Sequence, residues 1–243
     1  MRRLADACIL ATGFRRIVLA FVAGALGGLA MPPLGLSFVL FASLPLAVWL
    51  IDGDVGTSDR PLRARLQGAR DAALDGWWFG FGFHVAGLWW LGAAFLVEPD
   101  KFAWLLPLGV LGLPAVLALF SALGFALARL AWSASPLRVF AFAAALTIAE
   151  TLRANLFSGF PWNEWGMALG VHLWGAQVAS LVGLHGLTLL ALLIGALPAA
   201  CVDGVSARSL RMWPVATIAA LVLLVFGFGA LRTNTPASPR CPA

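Results

Sequence analysis

The sequence predicts an all-α integral membrane protein, a bundle of about seven transmembrane helices. Three observations carry that expectation. The 243 residues are 61% apolar and 11% charged, against roughly 45–50% and about 25% in soluble domains, so too little polar surface exists to cover a core in water. The apolar stretches are long and continuous, where barrel strands would alternate over segments of about ten residues. The basic residues, finally, gather on alternate connections between those stretches.

The first span is expected over about 17–31, after Arg2, Arg3, Arg15 and Arg16, and turns at Pro32-Pro33. No small-residue cleavage site follows it, so it reads as a signal anchor rather than a removed leader. A second span, about 36–51, ends in the polar stretch DGDVGTSDRPLRARLQGARD, and a third begins near Asp75 with GWWFGFGFHVAGLWWLGAAFLV. EPDK leads to a fourth, about 104–132, with Pro107 and Pro114 as expected kinks. The fifth covers about 137–156, the sixth about 174–200 and the seventh about 213–231. Residues 1–231 form one transmembrane domain in this reading, and 232–243, rich in Pro, Ser and Thr, a disordered tail. Gly24 with Gly28, and Gly76 with Gly80, have the small-xxx-small spacing of close helix contacts.

Orientation follows the positive charges. A cytoplasmic N-terminus places twelve of the 16 Lys and Arg on the inner side and leaves Lys101, Arg153, Arg232 and Arg240 for the other. This puts the N-terminus inside a bacterial inner membrane, with the C-terminus and the segment FSGFPWNEWG on the periplasmic side. The arginines therefore read as orientation signals, and no nucleic-acid partner is expected. Trp49, Trp77, Trp78, Trp132 and Trp213 fall at inner ends, and Trp104, Trp162, Trp165 and Trp174 at outer ends, as interfacial belts do. Trp89 and Trp90 lie deeper and either face a cavity or pack.

Glu150 and Arg153 are the sharpest chemical signal. Counting from Arg138, they lie roughly 18 Å and roughly 22 Å into a core of about 30 Å. Charges at that depth must face the bundle or a wet cavity, and i,i+3 spacing puts both on one helix face. They form either an ion pair locking the fifth helix or the lining of a cavity for a polar headgroup. In FSGFPWNEWG, Gly159 and Pro161 end the helix. Trp162 and Trp165 are suited to headgroup level, and Asn163 and Glu164 are free to face water. His84 and His185 fall within spans and His172 near the outer surface, so a metal site would need them to converge with a carboxylate; Cys8, Cys201 and Cys241 lie far apart with no CxxC spacing, and neither metal nor cofactor is expected. One Lys, no Tyr and no nucleophile-elbow Ser leave little for catalysis. Cys241, with Lys101 and Glu98 or Glu164, lacks the rigid setting that a nucleophile needs.

These pieces together resemble the membrane domain of bacterial apolipoprotein N-acyltransferase. The matching segments are WWFGFGFHVAGLWWL, AETLRANLFSGFPWNEWG and ASLVGLHGLTLL, over roughly residues 20–230, and E-x-x-R followed by F-x-G-F-P-W is the most specific. The resemblance implies a membrane bundle followed by a nitrilase-like periplasmic domain and a final span. It implies transfer of an acyl chain from a phospholipid to the α-amino group of a diacylglyceryl-cysteine on a lipoprotein. That transfer proceeds through a thioester on a Cys, assisted by a Glu and a Lys of the nitrilase-like domain. Only twelve residues follow Leu231, too few for such a domain, so the chain is expected to stop before it and no catalytic residue is transferred. Phe160, Pro161 and Trp162, with Glu150 and Arg153, carry over as the rim where lipid substrates enter.

Three functions compete on this sequence. One is the membrane part of such an acyltransferase, alone or with a separately encoded nitrilase-like domain. Another is a catalytically silent lipid-binding scaffold. The third, a transporter, is disfavoured by the lack of a visible repeat.

Overall fold

Lipid offers backbone groups no hydrogen bonds, so an apolar chain of this kind satisfies them within helices. The computed structural model describes residues 1–156, 159, 161–202 and 208–234, and among these the secondary structure is helical, with no strand. Helix α1 (Arg2–Ile9) is short and amphipathic, burying Ala5 and Cys8. Helices α2 (Gly13–Gly28), α3 (Leu40–Gly53) and α4 (Pro61–Gly87) follow, then α5 (Leu113–Leu130), α6 (Arg138–Asn155), α7 (Ala179–Ala196) and α8 (Arg208–Asn234).

Helix α4 is the centre of the packing, held between α2 and α5. The expected glycine pairs explain why. A methyl group at Gly24 would stand 1.8 Å from the Phe79 carbonyl oxygen, and one at Gly28 would stand 2.6 Å from that of Phe83. On the opposite side of α4, methyls at Gly76 and Gly80 would meet the Cβ atoms of Phe125 and Ser121 at 2.6 and 2.5 Å. Close backbone approach is the main attraction available to helices in lipid, because burying apolar surface there gains little. Helix α6 then packs on α5 and α7, while α3 packs on α1, α2 and α7.

Three elements differ from the sequence expectation. Helix α4 starts at Pro61, fourteen residues before Asp75. Pro in the first turn and the run of Arg, Leu and Ala favour helix regardless of polarity, so the loss of apolar residues there does not mark the end of the helix. Between Pro107 and Pro114 the fourth expected span becomes a π-helical turn, Leu108–Gly112. Pro114 has no N–H to give and its ring crowds the carbonyl four residues back, which shifts the local hydrogen-bond register. The sixth expected span is broken: a short helix, Leu173–Gln177, precedes α7, and Gly183 within α7 has φ 68° and ψ −176°. Only Gly takes that conformation readily.

Among the described residues, three helical segments are long and apolar enough to cross a membrane: Pro99–Leu130, Ala179–Val202 and Met212–Asn234. The other four expected spans overlap helices that are shorter or more charged. Ser37–Gly53 is apolar but shorter; α2 has 16 residues and carries Arg15 and Arg16 in its first turn. Helix α4 carries Arg70, Asp71 and Asp75, and α6 carries Arg138, Glu150 and Arg153.

The arginines do more than mark orientation. Arg16 donates from Nε to Asp75 at 2.7 Å, and from Nη2 to Asp54 and to the Leu50 carbonyl at 2.6 Å each, tying α2 to α3 and α4. Arg129 Nε donates to the Asp54 carbonyl at 2.6 Å, bringing in α5. Arg138 Nη2 and Trp132 Nε1 converge on the Asp52 carboxylate at 3.0 and 2.9 Å. The helix ends on this side are thus stitched together by charge-assisted bonds. Burial, reinforced by the neighbouring Asp75 charge, pushes the Asp54 carboxyl up to about 8, with Arg16 pulling the other way. Asp71 adds to the rise and Arg129 opposes it.

Two expectations follow. Gly24→Ala forces a methyl into the α4 backbone and should destabilise the bundle by about 1–3 kcal/mol. Gly227→Ala, where nothing lies within 4 Å, leaves the melting temperature in detergent unchanged. Asp54 holds its proton more tightly folded (about 8) than unfolded (3.8), so its contribution to stability is greatest at low pH and is lost as pH rises between those values. Melts recorded across that window should fall more steeply with pH for the wild type than for Asp54→Asn.

Candidate functional site

The site begins where α6 ends. Glu150 and Arg153 lie on its bundle-facing side, 3% and 1% exposed, and pair through Glu150 Oε2 and Arg153 Nη2. Arg153 also donates from Nη1 to the Trp162 carbonyl oxygen at 2.9 Å. One buried guanidinium therefore joins a carboxylate on the helix to the backbone of the segment that follows.

Helix α6 stops at Asn155. Gly159, with φ 79°, turns the chain and donates its N–H to the Leu156 carbonyl at 2.8 Å. A side chain there would strike the Ala154 carbonyl at 2.1 Å, so glycine is required. Phe160, one of the expected rim residues, lies outside the described residues. Pro161 and Trp162 are exposed. Asn163 then adopts φ 55°, a left-handed conformation that Asn tolerates better than most residues. That turn sends Glu164 and Trp165 inward.

Here the structure corrects the sequence reading. Asn163 and Glu164 do not face water: they are 4% and 0% exposed. Glu164 Oε2 accepts a hydrogen bond from Thr188 Oγ1 at 3.3 Å and lies 3.2 Å from His185 Nδ1. Thr188 Oγ1 in turn accepts the Gly166 N–H at 3.1 Å. Burial raises the Glu164 carboxyl above its ordinary range; Glu150 pushes the same way, and His185 and Arg153 oppose it. Trp165 is not at headgroup level either. It is 2% exposed and stacks on Phe83 and Phe79 with ring centroids 4.1 and 5.8 Å away. Gly27 gives it room, since a methyl there would meet the indole at 2.7 Å. A polar, Trp-bearing loop reads as interfacial in sequence, but partners on α7 and a glycine gap on α2 let this one fold into the bundle.

Trp162 stays at the surface. Its ring stacks on Trp90 at 5.2 Å and 24°, and Trp90 is fixed by its own bond from Nε1 to the Gly87 carbonyl, 3.1 Å. The two indoles wall a cavity of about 500 Å³ that Pro32, Pro33, Asn163 and Met167 complete. Of the two sequence readings of Trp90, facing a cavity describes its position; Trp89 next to it is half exposed. The Asn163 side-chain nitrogen sits at the cavity wall against Gly87 and has no hydrogen-bond partner. Among the described residues, no group of His, Cys, Asp and Glu is arranged to hold a metal. His84 bonds Gly80 O through Nδ1, and His172 lies by Ser37, far from His185 in role and setting.

Of the residues that the sequence singled out, the structure joins Glu150 to Arg153 and Arg153 to the Trp162 backbone, with Pro161 next to Trp162 in the chain. Sequence reasoning missed Asn163 as a cavity residue and Glu164, His185 and Thr188 as a cluster. The available signal was the carboxylate of Glu164 between two tryptophans.

Fold and site define a helical membrane domain with an aromatic-walled apolar cavity where α6 gives way to its buried loop. Residues 23–197 match the family described as apolipoprotein N-acyltransferase N-terminal domain, and the chain belongs to that family. It is 50% identical over 233 residues to the apolipoprotein N-acyltransferase of Rhodopseudomonas palustris, covering 96% of this chain and 42% of that protein. With the same-named proteins of Bradyrhizobium diazoefficiens and Brucella melitensis it shares 48% identity over 234 residues and 45% over 229. These alignments cover 96% and 94% of this chain, and 42% of each relative's length.

Arg153→Leu alone strands the Glu150 charge in the bundle and should cost about 3–5 kcal/mol. Removing both charges together, as Glu150→Leu with Arg153→Leu, should cost less. Detergent melts of the two single variants and the double variant measure this coupling directly; purely additive losses would mean that the two groups do not stabilise each other.

Proposed function

We propose that this chain is the membrane part of an apolipoprotein N-acyltransferase and that its Trp90–Trp162 cavity receives an acyl chain of the lipid substrates. The observation that carries the proposal is the cavity itself. Its volume of about 500 Å³ falls within the roughly 300–1,000 Å³ of ordinary ligand sites. Its lining is aromatic, prolyl and thioether apart from Asn163, which suits a hydrocarbon chain with one polar group near its end. Pro161 and Trp162 of the F-P-W motif are assigned to its rim with Glu150 and Arg153 as the support that fixes it, and Phe160, outside the described residues, is assigned to the same rim from the motif alone.

In this reading residues 1–231 form one bundle of seven spans in a bacterial inner membrane, with the N-terminus cytoplasmic and 232–243 periplasmic. The acyl donor is a phospholipid and the acceptor a diacylglyceryl-lipoprotein. The Glu, Lys and Cys that perform acyl transfer belong to a nitrilase-like domain, covalently continuous or separately encoded. The relatives' names and the 42% share of their length that this chain spans support that division of labour.

The test is Trp162→Ala in an enzyme that unites this membrane domain with a nitrilase-like domain. Stacked aromatic pairs contribute about 0.5–1.5 kcal/mol beyond area burial, so acyl transfer should fall by roughly 3- to 10-fold while membrane insertion is retained. Unchanged turnover in an inserted variant overturns the rim assignment. A bundle that binds phospholipid but supports no transfer with any nitrilase-like domain would instead be a lipid-binding scaffold.

A further inference from the structure

A second cavity lies at the opposite, arginine-rich end of the bundle, among the α1–α2 connection, the end of α3 and the middle of α4. Its volume is about 640 Å³ and three carboxylates line it: Asp54, Asp71 and Asp75. Among the described residues, the cation that lines it and faces them is Arg16. That guanidinium is already committed, to Asp75 through Nε, to the Ala11 carbonyl through Nη1, and to Asp54 and the Leu50 carbonyl through Nη2. Asp54 is 4% exposed and its second oxygen, Oδ2, is buried without a hydrogen-bond partner. An orphaned oxygen in so dry a position is costly unless a partner arrives, and a cationic donor would also offset the burial that keeps the Asp54 proton in place, favouring the carboxylate. Arg129 does not supply one, since its Nε bonds the main-chain oxygen of Asp54.

The cavity shares Leu10, Ala11 and Thr12 with a neighbouring groove of about 680 Å³ that runs past Phe14, Val18 and Leu19. Phe14 is 78% exposed there, and Arg15 lines the same groove. An apolar, outward-facing groove with a cation thus opens into a pocket rich in carboxylates. Taken in order, the arrangement matches an amphiphile with hydrocarbon chains, then a phosphate, then a group that donates hydrogen bonds and carries positive charge.

We propose that this second cavity binds the headgroup of a phospholipid bearing a primary ammonium, with the ammonium at Asp54 and Asp71, the phosphate at Arg15 and a chain along Phe14 and Val18. The site lies apart from the Trp90–Trp162 cavity and does not depend on its assignment. Headgroup selectivity follows from the chemistry. A trimethylated ammonium has the charge but no N–H to give Asp54, and an anionic glycerol headgroup meets carboxylates of its own sign.

The test uses the full chain purified in detergent, with its melting temperature followed by tryptophan fluorescence as lipid is added. Dioleoyl phosphatidylethanolamine should raise it by about 3 °C or more over the values with dioleoyl phosphatidylcholine or phosphatidylglycerol. Free ethanolamine and phosphoethanolamine at the same concentration should leave it unchanged. Asp54→Asn should abolish the selective rise. Because that change also removes an ion pair, Asp71→Asn, at an exposed position, serves as the second variant and should reduce it. Equal rises with all three lipids overturn the proposal, as does a selective rise that survives Asp71→Asn and Asp54→Asn alike. A rise produced by the free amines alone overturns the lipid assignment in favour of a small-amine site.

Discussion

The Arg153 guanidinium is the constraint on which the site depends. A loop can enter a bundle of this kind only if its backbone and side-chain polar groups find partners, because lipid supplies none. Arg153 supplies the first, to the Trp162 carbonyl, and its own charge is balanced one helical turn away by Glu150. Everything after Trp162 then follows inward: Glu164 reaches Thr188 and His185, and Trp165 drops between Phe83 and Gly27. Trp162 itself stays at the surface, where its ring meets Trp90. The cavity wall is therefore set by a buried charge that never lines the cavity.

That inward fold needs space, and glycine provides it. Gly24, Gly28, Gly76 and Gly80 bring α2, α4 and α5 so close that any added methyl collides. Gly27, between the first pair, leaves the gap that the Trp165 indole fills. Gly183 breaks α7 just before His185 and Thr188, which lets both residues lie beside Glu164. Small residues thus account for the positions of the large ones.

Much of this was legible in the sequence, and the rest was hidden for physical reasons. Composition alone gives an all-helical, apolar chain, and the small-xxx-small spacing correctly marks the two tight contacts of α4. The Glu150–Arg153 pair follows from the expense of charge at depth combined with i,i+3 geometry. What failed was taking polarity to mark the end of a helix, and in the loop after α6 taking it to mark exposure. Arg63, Arg65 and Arg70 sit on a helix that simply continues past its apolar part, and Glu164 is buried because its partners, His185 and Thr188, lie 21 and 24 residues away in sequence. Trp165 misleads for the converse reason, since a tryptophan beside polar residues has the same local pattern whether it anchors at an interface or fills a core.

The two ends of the bundle solve opposite problems. At the α1 end, Arg16, Arg129 and Arg138 donate to Asp52, Asp54, Asp75 and main-chain carbonyls, so three helix ends are fixed by directional bonds that tolerate little displacement. At the Trp162 end the cavity is closed by ring stacking and by prolines, whose contacts are non-directional and yield to the shape of whatever enters. Under the proposed acyl-chain reading that asymmetry has a use: rigidity comes from charge at one end, and accommodation from aromatic surface at the other. Arg153 lies at the junction of the two schemes. It uses a buried ion pair of the rigid kind to hold one edge of the yielding wall, which is why a residue without access to the cavity determines where the cavity is.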